Sequence, residues 1–101
     1  MKAAQDISSM AELRTEIDTL DRQLVDLIRV RVGFIDRAAE LKPAEGMPAR
    51  IEARVEEVVA RVRARAAEVG VDPALVDGMW RQMIDWSIAR EERVLGKGEE
   101  A

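Results

Sequence analysis

An unbroken helical pattern runs from Ser9 to Lys42, where Pro43 stops it, and no other feature restricts this chain's fold as much. Its apolar positions are Leu13, Ile17, Leu20, Leu24, Leu27, Phe34, Ala38 and Leu41, spaced by fours and threes as one face of a helix requires. At 1.5 Å per residue the helix would be about 50 Å long, whereas a compact domain of this chain length has a radius of gyration of only about 13 Å. One protomer cannot cover such a face. The pattern therefore predicts a second chain packed along it, as a symmetric homodimer.

One position breaks the stripe. Arg31 falls where the repeat asks for an apolar residue between Leu27 and Phe34. A buried charge without a partner is costly, so the guanidinium must snorkel to water, pair with a carboxylate or meet an anion. Lys42 follows eleven residues later, close to three helical turns and about 16 Å along the same face. Arg14 lies at a multiple of seven from Lys42 and borders the same seam in a supercoiled pair. Three cations on one apolar stripe suit a small anion, with Arg14 supplied by the partner chain.

The rest of the chain reads as two more helices, giving an all-α fold with three helices per protomer. Residues 1–8 are polar and expected to be loose, and Ser9 with Glu12 forms a capping box. Pro43 to Met47 is a short connection, and Pro48 suits the first turn of the next helix. The second helix carries Ile51, Val55, Val58, Val59, Val62, Ala66 and Val69 before Gly70. Asp72 and Pro73 open the third, which carries Val76, Met79, Trp80, Met83, Ile84, Trp86 and Ile88 and runs to about Leu95. We expect one helical domain over 9–95 and a polar, flexible tail over 96–101. Glu91 lies on the third helix's apolar stripe, as either the ion-pair partner of an arginine such as Arg31 or Arg14 or a protonated acid, with Ser87 one turn before it on the same side.

Composition narrows the function classes. A net charge of −4 argues against a non-specific nucleic-acid binder. The arginines at 50, 54, 61, 63 and 65 read mostly as a solvated face. The chain has no cysteine and no histidine, which leaves it poorly equipped for nucleophilic or metal catalysis, and we expect no cofactor and no metal. No segment approaches the roughly 20 apolar residues of a membrane helix, and residues 1–8 hold no signal-like run. We expect a cytosolic protein without a membrane partner.

Two motifs now join: L13-R14-x2-I17-x3-D21-x9-R31-x10-K42, and D72-P73…Q82-M83-I84-x2-S87-x3-E91. With the proline-bearing loop and an arginine-containing second helix between them, they resemble the all-helical chorismate mutases from about residue 10 to 95. The resemblance implies an intertwined dimer with two equivalent sites, each completed by Arg14 of the neighbouring protomer. It implies that Arg31 and Lys42 grip the carboxylates and ether oxygen of a dicarboxylate substrate. Arg54 matches the second-helix arginine, with Arg50 as a rival; Ser87 matches a residue near the ring carboxylate, and Glu91 a position held by glutamine or glutamate.

Two positions depart from the familiar mutases. Ile51 and Val55 stand where those enzymes carry an acid and a glutamate, the latter expected to hold the substrate's ring hydroxyl. An apolar residue at Val55 and a tryptophan at Trp86 are similar to the related branch that converts isochorismate to salicylate and pyruvate. The expectation is a chorismate mutase that rearranges chorismate to prephenate, with isochorismate-pyruvate lyase a close alternative and a non-catalytic helical dimerisation module the competing class. The chemistry implied is pericyclic: it needs a held conformer and stabilised charge, not a nucleophile. Arg14 and Arg31 would fix the carboxylates while Lys42 and a protonated Glu91 donate to the ether oxygen.

Overall fold

In the computed structural model, which describes residues 2–96, the elements are three α-helices and two short 3₁₀ turns, with no strand among the described residues. Helix α1 spans Met10–Leu41, α2 spans Glu52–Val69 and α3 spans Pro73–Leu95. The helix limits follow the sequence signals closely. The Ser9 hydroxyl oxygen accepts from the Glu12 N–H at 3.2 Å, and Pro43 begins a 3₁₀ turn immediately after α1. Only half of the capping box forms, because the Glu12 carboxylate pairs with Lys2. Residues Ala4–Asp6 adopt the other 3₁₀ turn. The tail expected over 96–101 lies, apart from Gly96, outside the described residues.

Gly70 ends α2 in the left-handed region at φ 77°, and the N–H of Val71 returns to the Ala66 carbonyl at 2.8 Å. Asp72 then caps α3, accepting from the Ala74 N–H at 2.9 Å, with Pro73 in the first turn. The start of α2 differs from expectation. Pro48 does not enter a helix: α2 begins at Glu52, behind an extended Ile51 with no side-chain cap. Residues 47–51 are held otherwise, by Ala49, which is buried and whose carbonyl accepts a hydrogen bond from Lys42 Nζ at 2.8 Å.

Among the described residues the chain divides into two units, 2–34 and 35–96, with the boundary inside the continuous α1. In the first unit the apolar stripe is open: Ile17, Leu20, Leu24, Leu27 and Phe34 are all exposed, Leu27 to 65% and Phe34 to 71%. The second unit has a closed core. Ala49, Val55, Val59, Ile84 and Ile88 are buried together, with Val58, Trp80 and Leu95 packed against them. Each such valine or isoleucine contributes about 1.5–3 kcal/mol by leaving water.

Helices α2 and α3 form an antiparallel hairpin around this core, as their charged pairs show. Arg50 meets Asp85 at 2.7 Å, Arg81 holds Glu56 through two hydrogen bonds of 2.9 and 3.1 Å, and Arg63 meets Asp77 at 3.0 Å. Arg61 and Arg65 pair only with glutamates on their own helix and stay solvated, as their spacing predicts. Arg50 and Arg63 instead join the two helices.

Candidate functional site

Two charged side chains of the second unit are largely withdrawn from water: those of Lys42, immediately after α1, and Glu91, on α3. The Lys42 side chain is 17% exposed and that of Glu91 5%, with Nζ 2.8 Å from Oε1. The contact brings the charges close without the angular geometry of a hydrogen bond, so Oε1 has no donor aligned with it. The ammonium is aimed instead by the Ala49 carbonyl. Glu91 therefore has an ion-pair partner, and it is Lys42 rather than an arginine. A buried pair of this kind gains from mutual attraction, and it becomes unfavourable if either member is removed.

Ser87 is buried one turn before Glu91, and its hydroxyl donates to the Met83 carbonyl at 2.8 Å. Val55 is 8% exposed and belongs to the core with Val59, Ile84 and Ile88. Its side chain offers an apolar wall and no polar atom. The two rival arginines on and before α2 are held differently. Arg50 bridges Glu52 and Asp85 and ties the start of α2 to α3. Arg54 is exposed and pairs with Glu57 one turn along its own helix. An exposed intrahelical pair is worth only a few tenths of a kcal/mol, so the Arg54 guanidinium exchanges partners easily.

Arg14 and Arg31 lie in the first unit, Arg14 exposed and Arg31 half-buried. The second unit thus brings together Lys42 and Glu91, with Ser87 one turn from Glu91 on α3. Two participants were missed by sequence reasoning. Ala49 gives no signal, because its contribution is a backbone carbonyl. The salt bridge between Arg90 and Asp36 spans 54 positions, and no helical spacing rule links residues that far apart. What could have been read is that Asp36 lies on α1 six residues before Lys42 and that Arg90 adjoins Glu91.

Chemically, a buried ammonium aimed by a carbonyl and flanked by a carboxyl can stabilise negative charge that develops on an oxygen. No described helix is long and apolar enough to cross a membrane.

The chain is 33% identical to an isochorismate pyruvate lyase of Pseudomonas aeruginosa over 95 residues, covering 90% of this chain and 89% of that protein. It is 29% identical to a 4-amino-4-deoxychorismate mutase of Streptomyces venezuelae over 89% of this chain and 87% of the relative. It is also 28% identical to the T-protein of Enterobacter agglomerans, matching 84% of this chain but only 23% of that longer protein. Residues 13–92 match the family described as chorismate mutase type II. The chain belongs to the chorismate mutase type II family.

Proposed function

We propose that this chain is a pericyclic enzyme acting on an enolpyruvyl ether of the chorismate type, and that isochorismate cleavage to salicylate and pyruvate is its principal reaction. The observation that carries this choice is Val55. The residue following Arg54 is apolar and turned into the core, so no carboxylate there can hold a ring hydroxyl in the way the mutase resemblance requires. The near full-length likeness to a lyase supports the same choice.

In the lyase reaction the ether C–O bond breaks while a ring hydrogen moves to the enolpyruvyl methylene carbon. That carbon becomes the methyl of pyruvate, and the ring becomes aromatic. Bonds broken and formed balance without a nucleophile, a redox partner or water. The protein's part is to hold the compact conformer and to stabilise charge on the ether oxygen. Lys42 is the donor for that oxygen, aimed by Ala49. Glu91 flanks it and keeps the ammonium beside the substrate. Arg54, released from Glu57, and Ser87 meet the substrate's carboxylates.

For Arg14 and Arg31 the assignment rests on sequence: they bind carboxylates, Arg14 from a second copy of the chain. The exposed stripe of Leu20, Leu24, Leu27 and Phe34 supports such a copy, since the first unit has no core of its own to cover these residues.

A second reading is chorismate to prephenate, the ether bond breaking as a carbon–carbon bond forms. The match to the mutase family over 13–92 and the likeness to a 4-amino-4-deoxychorismate mutase favour it. Incubation with isochorismate and with chorismate separately distinguishes the two. We expect salicylate and pyruvate in equal amounts from the first, faster than prephenate from the second. Prephenate alone would establish the second reading, and no product from either would leave a helical dimerisation module.

A further inference from the structure

The end of α1 and the last turns of α3 are joined by one specific contact outside the substrate-binding set. Arg90 grips Asp36 with both arms of its guanidinium, Nε to Oδ1 at 2.6 Å and Nη2 to Oδ2 at 3.0 Å. The same guanidinium lies over the Trp86 ring, 5.5 Å from its centroid. A planar fork held at both nitrogens and stacked on a ring has little freedom left. Its position in the chain gives it a purpose. Arg90 precedes Glu91 directly, and Asp36 lies six residues before Lys42, about 9 Å along the helix.

Each half of the contact thus lies on the same segment as one member of the buried pair, Arg90 next to Glu91 and Asp36 less than two turns before Lys42. We propose that the Asp36 and Arg90 clamp is a positioning device, which fixes the end of α1 against α3 and so sets the separation of Lys42 from Glu91. An exposed ion pair adds little to stability, so stability alone gives it little purpose. Its value is geometric. The Lys42 and Glu91 contact is close yet poorly aligned for hydrogen bonding, so nothing in that pair itself holds its distance. The clamp and the Ala49 carbonyl do. The Arg90 hydrogen bond also holds the Asp36 carboxyl below its ordinary range, which favours the charged form of the clamp.

This inference rests on the proposed role of Lys42 and Glu91, and its test has an arm that needs no activity. In crystals of Arg90→Ala we expect Lys42 Nζ to move away from the Glu91 carboxylate while α2 and α3 keep their packing; an unchanged contact overturns the proposal. In kinetics, with whichever substrate the wild type turns over, Arg90→Ala and Asp36→Ala should each lower kcat about tenfold with KM nearly unchanged, since misplacement of a charge-stabilising group acts on the bond-breaking step. Arg90→Lys, which keeps the charge but not the fork, should fall between them and the wild type. The charge-exchanged double variant Asp36→Arg with Arg90→Asp should recover most of the loss. Wild-type kcat in both alanine variants, or a loss that appears in KM alone, overturns the inference. A wild type inactive on both substrates would count against the function and leave the crystallographic arm to judge the clamp.

Discussion

The two units of this chain use the same kind of residue in opposite ways. In the first, an apolar stripe at helical spacing faces outward, with Leu27 and Phe34 mostly exposed. In the second, Val55, Val59, Ile84 and Ile88 close over one another and leave two charged side chains, Lys42 and Glu91, enclosed beside them. The second unit is a finished core built around a polar site; the first leaves its apolar stripe uncovered. Periodicity alone cannot separate the two, because a stripe that meets its own chain and one that meets another obey the same spacing.

The sharpest way to break the comparison is to remove the enclosed cation. Lys42→Ala leaves a buried carboxylate without its counter-charge, which should lower stability by about 3 kcal/mol and activity by about a thousandfold. Urea denaturation and kcat measure the two effects. A variant as stable as the wild type would show that Glu91 does not depend on this pair.

Next in size is a pair of truncations. Ile88→Ala in the second unit should cost about 3 kcal/mol at any protein concentration. Leu27→Ala should matter little at high dilution and progressively more as concentration rises, because its side chain is buried only in the proposed dimer. Equal costs independent of concentration would erase the distinction between the units.

The smallest effect concerns the ion pairs on the outside of the second unit. Hydrogen bonds from Arg90 to Asp36 and from Arg81 to Glu56 and Asp77 hold these carboxyls below their ordinary values. A lowered folded-state value adds stability above the unfolded value, about 4 for these groups, and that contribution is lost as pH falls through the folded value. Thermal melts should therefore drop below about pH 4, and less steeply in Asp77→Asn. An identical acid slope in that variant would show that the Asp77 pairs do not matter to stability.

Much of the fold is legible because its punctuation is local. Pro43, Gly70 and the Asp72 and Pro73 pair each act on their own backbone, and the helices end or begin at them. Pro48 misled for the opposite reason: a distant ammonium draws the Ala49 carbonyl, and that demand outweighs the proline's suitability for a helix start. At the site, Lys42 and Glu91 were legible as charges on apolar stripes. Their pairing, the choice between Arg50 and Arg54, and the Asp36 clamp depend on contacts between elements distant in sequence, and periodicity carries no such information.

The central claim is that each catalytic site unites Lys42 of one chain with Arg14 of another, and mixing two inactive variants tests it most directly. Arg14→Ala and Lys42→Ala should each be inactive as homodimers. After subunit exchange in equal amounts, half the dimers are mixed and each has one intact site, so about a quarter of wild-type activity should return. No recovery, with both variants folded and the mixed dimer present, would contradict the account.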